Sequence, residues 1–239
     1  MSTTTTTTNQ INISSATVKR LISDIKEITL NPLEKDGIYY RHDETNMLLG
    51  YALIIGPPDT PYAYGNFLFK FSFPTNYPHS PPVVTYCTND GITRFNPNLY
   101  KNGKVCISLL NTWKGEQWTG CQTISSILLV LCCMLNNKPL LNEPGITEIH
   151  KDFEIYNTII KYKTLEVAVG WMIDKEKLPD EFHCFHDDIM ANFRKNYDAI
   201  LSDLSGKESG RLSCGMYGMS FKTNYEALQK LLIKKIELN

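Results

Sequence analysis

Four short segments rich in β-branched and aromatic residues follow one another between residues 37 and 88. Turn-forming stretches separate them, among them Asp43-Glu44, Gly56-Pro57-Pro58 and the proline-rich stretch 74–82. Strands joined by short connections pair antiparallel, because a parallel pair needs a long crossover. We therefore predict a four-stranded antiparallel meander with strands at 38–41, 48–55, 67–73 and 83–87.

Helical patterns lie on both sides of this predicted sheet. Apolar residues recur at helical spacing before it: Val18, Leu21, Ile22, Ile25 and Ile28. They predict an amphipathic helix that begins near Ser14 and ends at Asn31-Pro32. After the sheet, Thr123 is typical of a helix N-cap. The helix that follows, to Leu135, is apolar nearly all round and is therefore predicted to be the buried central one.

The C-terminal third is predicted to be helical. Patterns at 150–173, 181–204 and 223–238 indicate helices, and the Gly- and Ser-rich stretch 205–218 indicates a loop. Because strands and helices occupy separate parts of the chain, the fold class is α+β. At the other end, the threonine run 3–8 cannot bury apolar surface, so residues 1–13 are predicted to be a disordered tail.

Charge, hydropathy and cysteine content exclude several functions. The net charge of -1 argues against nucleic acid or an anionic membrane as partner. The longest nearly unbroken apolar run, 127–135, is too short to span a bilayer, and the first ten residues do not form a signal peptide. Seven cysteines, an odd number without an export signal, indicate reduced thiols in the cytoplasm or nucleus.

Cys106 is the first candidate for chemistry, although a free cysteine is more often a buried small apolar residue. The cluster His183-Cys184-Phe185-His186 lacks the paired spacing of structural zinc sites, so we predict no metal. A Cys-His protease dyad would need His79 or His150 to be brought to Cys106 by the fold. The Gly103-Lys104 pair lacks the upstream glycine of a phosphate-binding loop, and from periodicity alone the function stays open.

A collinear set of motifs changes these odds. It comprises 56–62 (GPPDTPY), 73–78 (FPTNYP), 96–98 (NPN), 102–106 (NGKVC), 123–125 (TIS) and 142–144 (NEP). Together they resemble the ubiquitin-conjugating enzyme family over residues 14 to about 175. The stretches 94–100 (RFNPNLY) and 110–113 (LNTW) look closest to the subgroup of ubiquitin-conjugating enzyme Z.

The resemblance implies a division of the chain and a function. It implies a catalytic core at 14–175 followed by a helical C-terminal extension at 176–239. It also implies that Cys106 accepts ubiquitin or a ubiquitin-like protein as a thioester from a ubiquitin-activating enzyme and passes it to a lysine of a protein substrate, often with a ubiquitin ligase as adaptor. No cofactor is implied on the chain itself, because ATP is used indirectly through the activating enzyme.

The resemblance assigns two further site residues. Asn98 is expected to stabilise the oxyanion or to organise the loop, and a plain turn residue is the simpler reading. Glu143 is the candidate carboxylate for activating the attacking lysine, and an exposed turn acid before Pro144 is the equally simple alternative. The rival classes are an inactive variant that only presents ubiquitin and a thiol hydrolase.

The sequence departs from the family pattern at three places. Asn96 stands where many members have histidine, which changes a loop-packing residue. Extra residues between Trp113 and Trp118 alter the lip of the site. His79 stands where many members have an apolar residue for docking a RING-type ligase, which puts that docking in doubt.

In the extension, Lys222, Lys230, Lys234 and Lys235 form a basic side, either a solvated helix face or a contact for a particular activating enzyme.

Overall fold

The N-terminal helix begins where the sequence predicts it. The computed structural model describes residues 13–237, so the predicted tail lies almost wholly outside the described residues. Helix α1 spans Ser15–Leu30, and the Ser14 side chain caps it by accepting a hydrogen bond from the amide of Thr17 at 3.0 Å. Leu21 and Ile28 on one face of α1 are buried in the core, as the apolar spacing predicts.

The four predicted strands form one antiparallel sheet in sequence order. Strand β1 spans Ile38–His42, β2 Leu49–Ile55, β3 Asn66–Ser72 and β4 Val83–Tyr86, each within one residue of its predicted bounds. The register places Tyr40, Ala52, Phe69 and Tyr86 in one row across the strands. Since side chains alternate between faces, Leu53 and Leu68 point to the opposite face.

Helix α2, Ile124–Met134, packs with α1 and with the first face of the sheet in one apolar cluster. Thr123 and Ser126 cap it reciprocally, each side chain bonding the other's backbone amide. The helix is the buried central one that the sequence predicts, with Ile124, Ile127, Leu128 and Leu131 fully buried, but its outer side meets solvent. Leu129 and Val130 are 43% and 37% exposed and Cys133 is also exposed, because the sheet and α1 cover only one side of the helix.

The C-terminal helices cover the other face of the sheet. Helix α3 spans Phe153–Lys163 and continues as a π-helical segment, Thr164–Trp171; the short 3-10 helix Asp180–Phe185 precedes α4, His186–Leu204, and α5 is Tyr225–Glu237. Leu53 and Leu68 of the sheet share a buried cluster with Phe182 and Phe185. The sheet is therefore the middle layer between two apolar clusters.

The predicted loop 205–218 contains a strand. Strand β5, Arg211–Cys214, pairs antiparallel with β6, Met219–Lys222, through a turn at Met216–Gly218. Each strand has four residues and buries only one end, Cys214 in β5 and Met219 in β6. The alternation of apolar and polar residues is therefore too short to be recognised among the surrounding Gly and Ser. The extension is thus not purely helical.

Short 3-10 helices complete the described elements: Glu34–Asp36, Ser108–Leu110 and Pro139–Asn142. Within the described part of the chain, no helix combines the length and the hydropathy needed to cross a membrane.

Candidate active site

The three site residues expected from the sequence line one small cleft. Cys106 follows the turn at Asn102-Gly103 and precedes the 3-10 helix Ser108–Leu110; it is only 4% exposed. The cleft, about 30 Å³ in volume, is lined by Pro97, Asn98, Tyr100, Cys106, Trp113, Asn142, Glu143 and Pro144. A thiol, an amide and a carboxylate therefore face the same space although they come from three separate loops.

Asn98 and Cys106 are joined by reciprocal hydrogen bonds. The Cys106 amide donates to the Asn98 carbonyl at 2.9 Å, and the Asn98 side-chain amide donates to the Cys106 carbonyl at 2.6 Å. In this state the Asn98 side chain organises the loop that carries the cysteine. Asn98 and Cys106 line the same cleft, and an amide side chain is a donor that can stabilise negative charge without titrating.

Thr112 fixes the other side of the cysteine loop. Its hydroxyl accepts from the Ile107 amide at 2.9 Å and lies 3.0 Å from the Val105 carbonyl. Its own carbonyl lies 3.0 Å from the Cys106 Sγ, within range of a weak S–H donor. The sequence analysis did not identify Thr112 as a site residue. The only signal for it was its place in the stretch 110–113, which does not reveal the contacts of its hydroxyl.

Asn96 ties the loops of the cleft together. It is fully buried, and its side-chain amide donates to the Tyr62 hydroxyl and to the Met134 carbonyl, both at 2.9 Å. Its side-chain oxygen accepts from the Asn98 amide at 3.0 Å and from the Asn142 side chain at 3.2 Å. Asn96, which stands where many family members have histidine, is therefore a buried polar residue whose side-chain donors and acceptor all have hydrogen-bond partners. Its role is to pack the loops.

Glu143 is half-buried and is held by the C-terminal hairpin. It follows the 3-10 helix Pro139–Asn142, and its Oε2 accepts a hydrogen bond from the Tyr217 hydroxyl at 2.5 Å. Burial and this bond to a carboxylate raise the pKa of Tyr217, so the phenol stays a donor. The sequence carried no signal for this contact, since Tyr217 lies in the stretch expected to be a loop.

Arg94 lies between two aromatic rings beside the cleft. Its guanidinium carbon lies 3.3 Å from the centre of the Tyr100 ring and 4.9 Å from that of Tyr217. The guanidinium also donates to the carbonyls of Asn96 at 3.2 Å and Pro97 at 2.6 Å. This side chain therefore links the turn 96–98 to the hairpin.

The segment with extra residues forms the lip of the cleft. Trp113 lines the opening and is 46% exposed, whereas Trp118 is buried. The Trp118 amide donates to the Asn111 side chain at 2.8 Å, and its indole nitrogen donates to the Pro78 carbonyl at 2.7 Å. One tryptophan thus anchors the lip and leaves the other presented to solvent.

The other cysteines lie in different settings. All seven cysteines are within the described residues and are free thiols. Burial raises the pKa of Cys87, Cys132 and Cys214 to about 11, so these thiols are almost wholly protonated at neutral pH. Cys121, Cys133 and Cys184 are exposed. Cys106 is the cysteine that lines the cleft.

The histidines take other partners. The ring Nε2 of His183 lies 3.0 Å from the Leu178 carbonyl and that of His186 lies 3.4 Å from the Ile173 carbonyl. Between residues 13 and 237 no group of three or more His, Cys, Asp or Glu side chains is placed to hold a metal ion. His79 is exposed on its turn and His150 accepts from the Asp152 amide; neither lines the cleft, so the geometry does not assemble a Cys-His dyad.

A larger hollow of about 540 Å³ lies elsewhere, between the turn at Asp59–Tyr64 and the helices α3 and α4. Lys161 and Asp203 at its rim form an ion pair of 3.0 Å, and no cysteine lines it. Chemistry rather than size therefore identifies the smaller cleft as the candidate site.

The chain is similar to known proteins along most of its length. A family model described as ubiquitin-conjugating enzyme matches residues 20–164. Ubiquitin-conjugating enzyme E2 Z of Homo sapiens is 42% identical over 158 residues, which cover 65% of this chain and 44% of the relative. The E2 Z of Danio rerio is 34% identical over 233 residues, covering 91% of this chain and 69% of the relative.

A larger relative also matches. The dual E2 ubiquitin-conjugating enzyme/E3 ubiquitin-protein ligase BIRC6 of Homo sapiens is 34% identical over 243 residues, covering 92% of this chain and 5% of the relative. This alignment and that of the Danio rerio protein each cover more than nine tenths of the 239-residue chain. Both therefore extend past the predicted core and include part of the C-terminal extension.

The chain spans between 44% and 69% of the length of the E2 Z relatives. The family model nevertheless matches well over half of it, including Cys106, Asn98 and Glu143. By this match, the chain belongs to the ubiquitin-conjugating enzyme family.

Proposed function

We propose that this chain accepts ubiquitin or a ubiquitin-like protein as a thioester on Cys106 and transfers it to a lysine of a protein substrate, as a Z-like member of its family. The observation that carries the proposal is the placement of Cys106 with Asn98 and Glu143 around one cleft. The family match and the likeness to proteins named E2 Z support it.

Charging is a thiol exchange. The Cys106 thiolate attacks the carbonyl carbon of the thioester held by the activating enzyme, a new C–S bond forms, and the activating enzyme's sulfur leaves and takes up a proton. The energy comes from ATP spent by the activating enzyme. This chain therefore needs no bound cofactor for the step.

Discharge is an aminolysis. A lysine amine attacks the thioester carbonyl, the C–S bond breaks, and Cys106 is regenerated as a thiol while an isopeptide bond forms. Negative charge that develops on the carbonyl oxygen is stabilised by the Asn98 amide, which donates without titrating. The attacking nitrogen loses a proton, and Glu143 is the carboxylate that we assign to receive it or to attract the ammonium beforehand.

The partners follow from this cycle: ubiquitin or a ubiquitin-like protein, an activating enzyme, a protein substrate, and a ligase where one is used. The exposed His79 does not favour the apolar docking used by RING-type ligases. Two lysines of the basic side already have acidic partners, Lys230 with Glu226 at 2.5 Å and Lys235 with Asp174 at 3.0 Å, which favours a solvated face there. Free thiols and the family match support a site of action in the cytoplasm and nucleus.

A charging assay with activating enzyme, ATP and several ubiquitin-like proteins tests the proposal. We expect a reductant-sensitive adduct, and Cys106→Ser is expected to give an oxyester that resists reductant. Cys133→Ser, which changes an exposed cysteine on α2, is the matched control and should charge normally.

Other outcomes would point to the rival classes. An adduct on Cys106→Ser that reductant still cleaves would assign the chemistry to another cysteine. If no adduct forms with any modifier, the chain is an inactive variant that only presents ubiquitin. Cleavage of a ubiquitin fusion without ATP would indicate a thiol hydrolase. Running the assay with different activating enzymes tests whether the extension selects among them.

A further inference from the structure

The tip of the β5–β6 hairpin is docked on the loops of the cleft. The Tyr217 hydroxyl donates to Glu143 Oε2 at 2.5 Å, and the Tyr217 carbonyl accepts from the Lys101 side chain at 3.0 Å. The ring of the same residue packs beside the Arg94 guanidinium and lies 6.0 Å from the Tyr156 ring. One residue of the C-terminal extension thus contacts both sides of the catalytic loop region.

The hairpin tip is held firmly enough to place a side chain. The Met216 amide donates to Asp152 Oδ2 at 2.8 Å, and Cys214 and Met219 on either side are each 2% exposed. Tyr217 itself adopts a left-handed backbone with φ 61° and ψ 9°. The left-handed region is unfavourable for a residue with a side chain, so the surrounding contacts must maintain it.

A glutamate at the end of a short turn would otherwise sample several rotamers, and the loss of that freedom on ordering the side chain would slow the reaction. The tyrosine bond removes that freedom in advance. It occupies Oε2 of Glu143, which leaves Oε1 to meet an amine in the cleft shared with Cys106.

We propose that Tyr217 is a positioning residue that holds the Glu143 carboxylate toward the lysine attacking the Cys106 thioester, so that the C-terminal hairpin is part of the transfer machinery. This inference rests on the proposed function. In the step, the lysine ammonium gives its proton to Glu143 Oε1, and the free amine attacks the carbonyl. The thioester C–S bond then breaks, the departing Cys106 sulfur takes the proton held on Glu143, and the new amide nitrogen releases its second proton to solvent.

The test uses the full chain, charged with ubiquitin and separated from ATP, and follows discharge to two nucleophiles. Free lysine must lose a proton before attack, whereas hydroxylamine is already uncharged at neutral pH. Tyr217→Phe is expected to charge normally, to discharge to lysine about tenfold more slowly, and to discharge to hydroxylamine at the unchanged rate.

A double-mutant cycle separates positioning from a general structural role. Glu143→Gln should slow lysine discharge, and adding Tyr217→Phe to it should slow discharge no further. Tyr225→Phe is the matched control, because this tyrosine of the extension packs its ring on Tyr162 of α3, 5.0 Å between centres, and does not line the cleft of Cys106. It should leave both rates unchanged.

The results that overturn the inference differ from those that overturn the function. If Tyr217→Phe discharges to lysine at the original rate, or slows both nucleophiles equally, Tyr217 does not position Glu143. Further slowing in the Glu143→Gln background would also refute it. If the unchanged chain forms no thioester on Cys106 at all, the proposed function itself fails.

Discussion

At the scale of single residues, the Asn98 side chain has an observed structural role and a proposed chemical one. Its amide holds the Cys106 carbonyl at 2.6 Å in the resting loop, and the amide of Cys106 returns a bond to Asn98 at 2.9 Å. The backbone bond does not depend on the side chain, whereas the proposed donor to a developing oxyanion is the side chain itself. Loop order and transition-state stabilisation can therefore be separated by substitution.

We expect Asn98→Ala to keep charging near the original rate and to slow discharge by roughly 10²–10³-fold, the usual effect of removing one oxyanion donor. Single-turnover discharge to lysine and to hydroxylamine measures it, and both should slow, because both reactions pass through an oxyanion. Asn102→Ala, an exposed asparagine on the same loop, is the control. Equal discharge rates would restrict Asn98 to a structural role.

The sequence could identify some of these residues and not others. Cys106 and Asn98 lie eight positions apart in one motif, so a linear pattern contains both. Tyr217 reaches Glu143 across 74 positions, and Thr112 acts through a hydroxyl shared among backbone groups. Contacts of this kind depend on how separate elements dock, which no local spacing records.

At the scale of elements, a buried ion group fastens the end of α3. The Lys163 ammonium, whose side chain is 6% exposed, lies 3.1 Å from Asp90 and 2.5 Å from Glu166. It also lies 4.5 Å from the centre of the Phe221 ring on β6. Burial opposes the charge of Asp90, but hydrogen bonds from Thr93 and the charge of Lys163 outweigh it and lower its pKa.

Lys163→Met is expected to lower the free energy of unfolding by about 3–5 kcal/mol, because it leaves the buried carboxylate of Asp90 without its cation. Urea unfolding measures the change. Lys161→Met is the control: this lysine of α3 is 43% exposed and pairs with Asp203, so its loss should matter by under about 1 kcal/mol. Similar values for the two variants would contradict the importance of burial.

The same variant has a pH signature whose sign follows from Asp90. Because the folded pKa of Asp90 is lowered, its contribution is present above the unfolded pKa of about 3.9 and is lost as the pH falls through the folded value. The stability difference between the original chain and Lys163→Met should therefore be full at neutral pH and shrink in acid below about pH 4.

Element positions were predictable to the extent that local pattern determines them. The strands and the caps of α1 and α2 follow from β-branched runs and from Ser14 and Thr123. The exposed stripe of α2 was not predictable, because apolar residues on its outer side look the same as those on its inner side. The β5–β6 hairpin was missed because its stability comes from docking on the core.

At the scale of the whole molecule, the sheet lies between two clusters. Ala52, Phe69 and Tyr86 face α2, whereas Leu53 and Leu68 meet the C-terminal segments. Across this second boundary the Phe182 ring packs edge-on against Tyr51 of β2, with 5.5 Å between ring centres. The core and the extension, divided in the sequence at residue 175, thus share an apolar contact. The free energy of that contact decides whether the extension unfolds separately.

We predict that core and extension unfold as one unit. Phe182 is fully buried, so Phe182→Ala should lower the stability of the entire chain by about 3–5 kcal/mol. Hydrogen exchange should then show amides of β2 and of α4 losing protection together and by similar free energies. Ile149→Ala, at a side chain 94% exposed, is the control and should change protection by less than about 0.5 kcal/mol.

If Phe182→Ala instead loosens α4 and α5 while β2 keeps its protection, the extension is a separate unit and the predicted boundary is a physical one. That outcome bears on the chemistry, because Tyr217 reaches Glu143 from the extension. An extension that opens independently would release Glu143 at the same time, and lysine discharge would weaken in step with the loss of α4 protection. If the extension unfolds only with the core, the Tyr217–Glu143 contact persists for as long as the chain is folded.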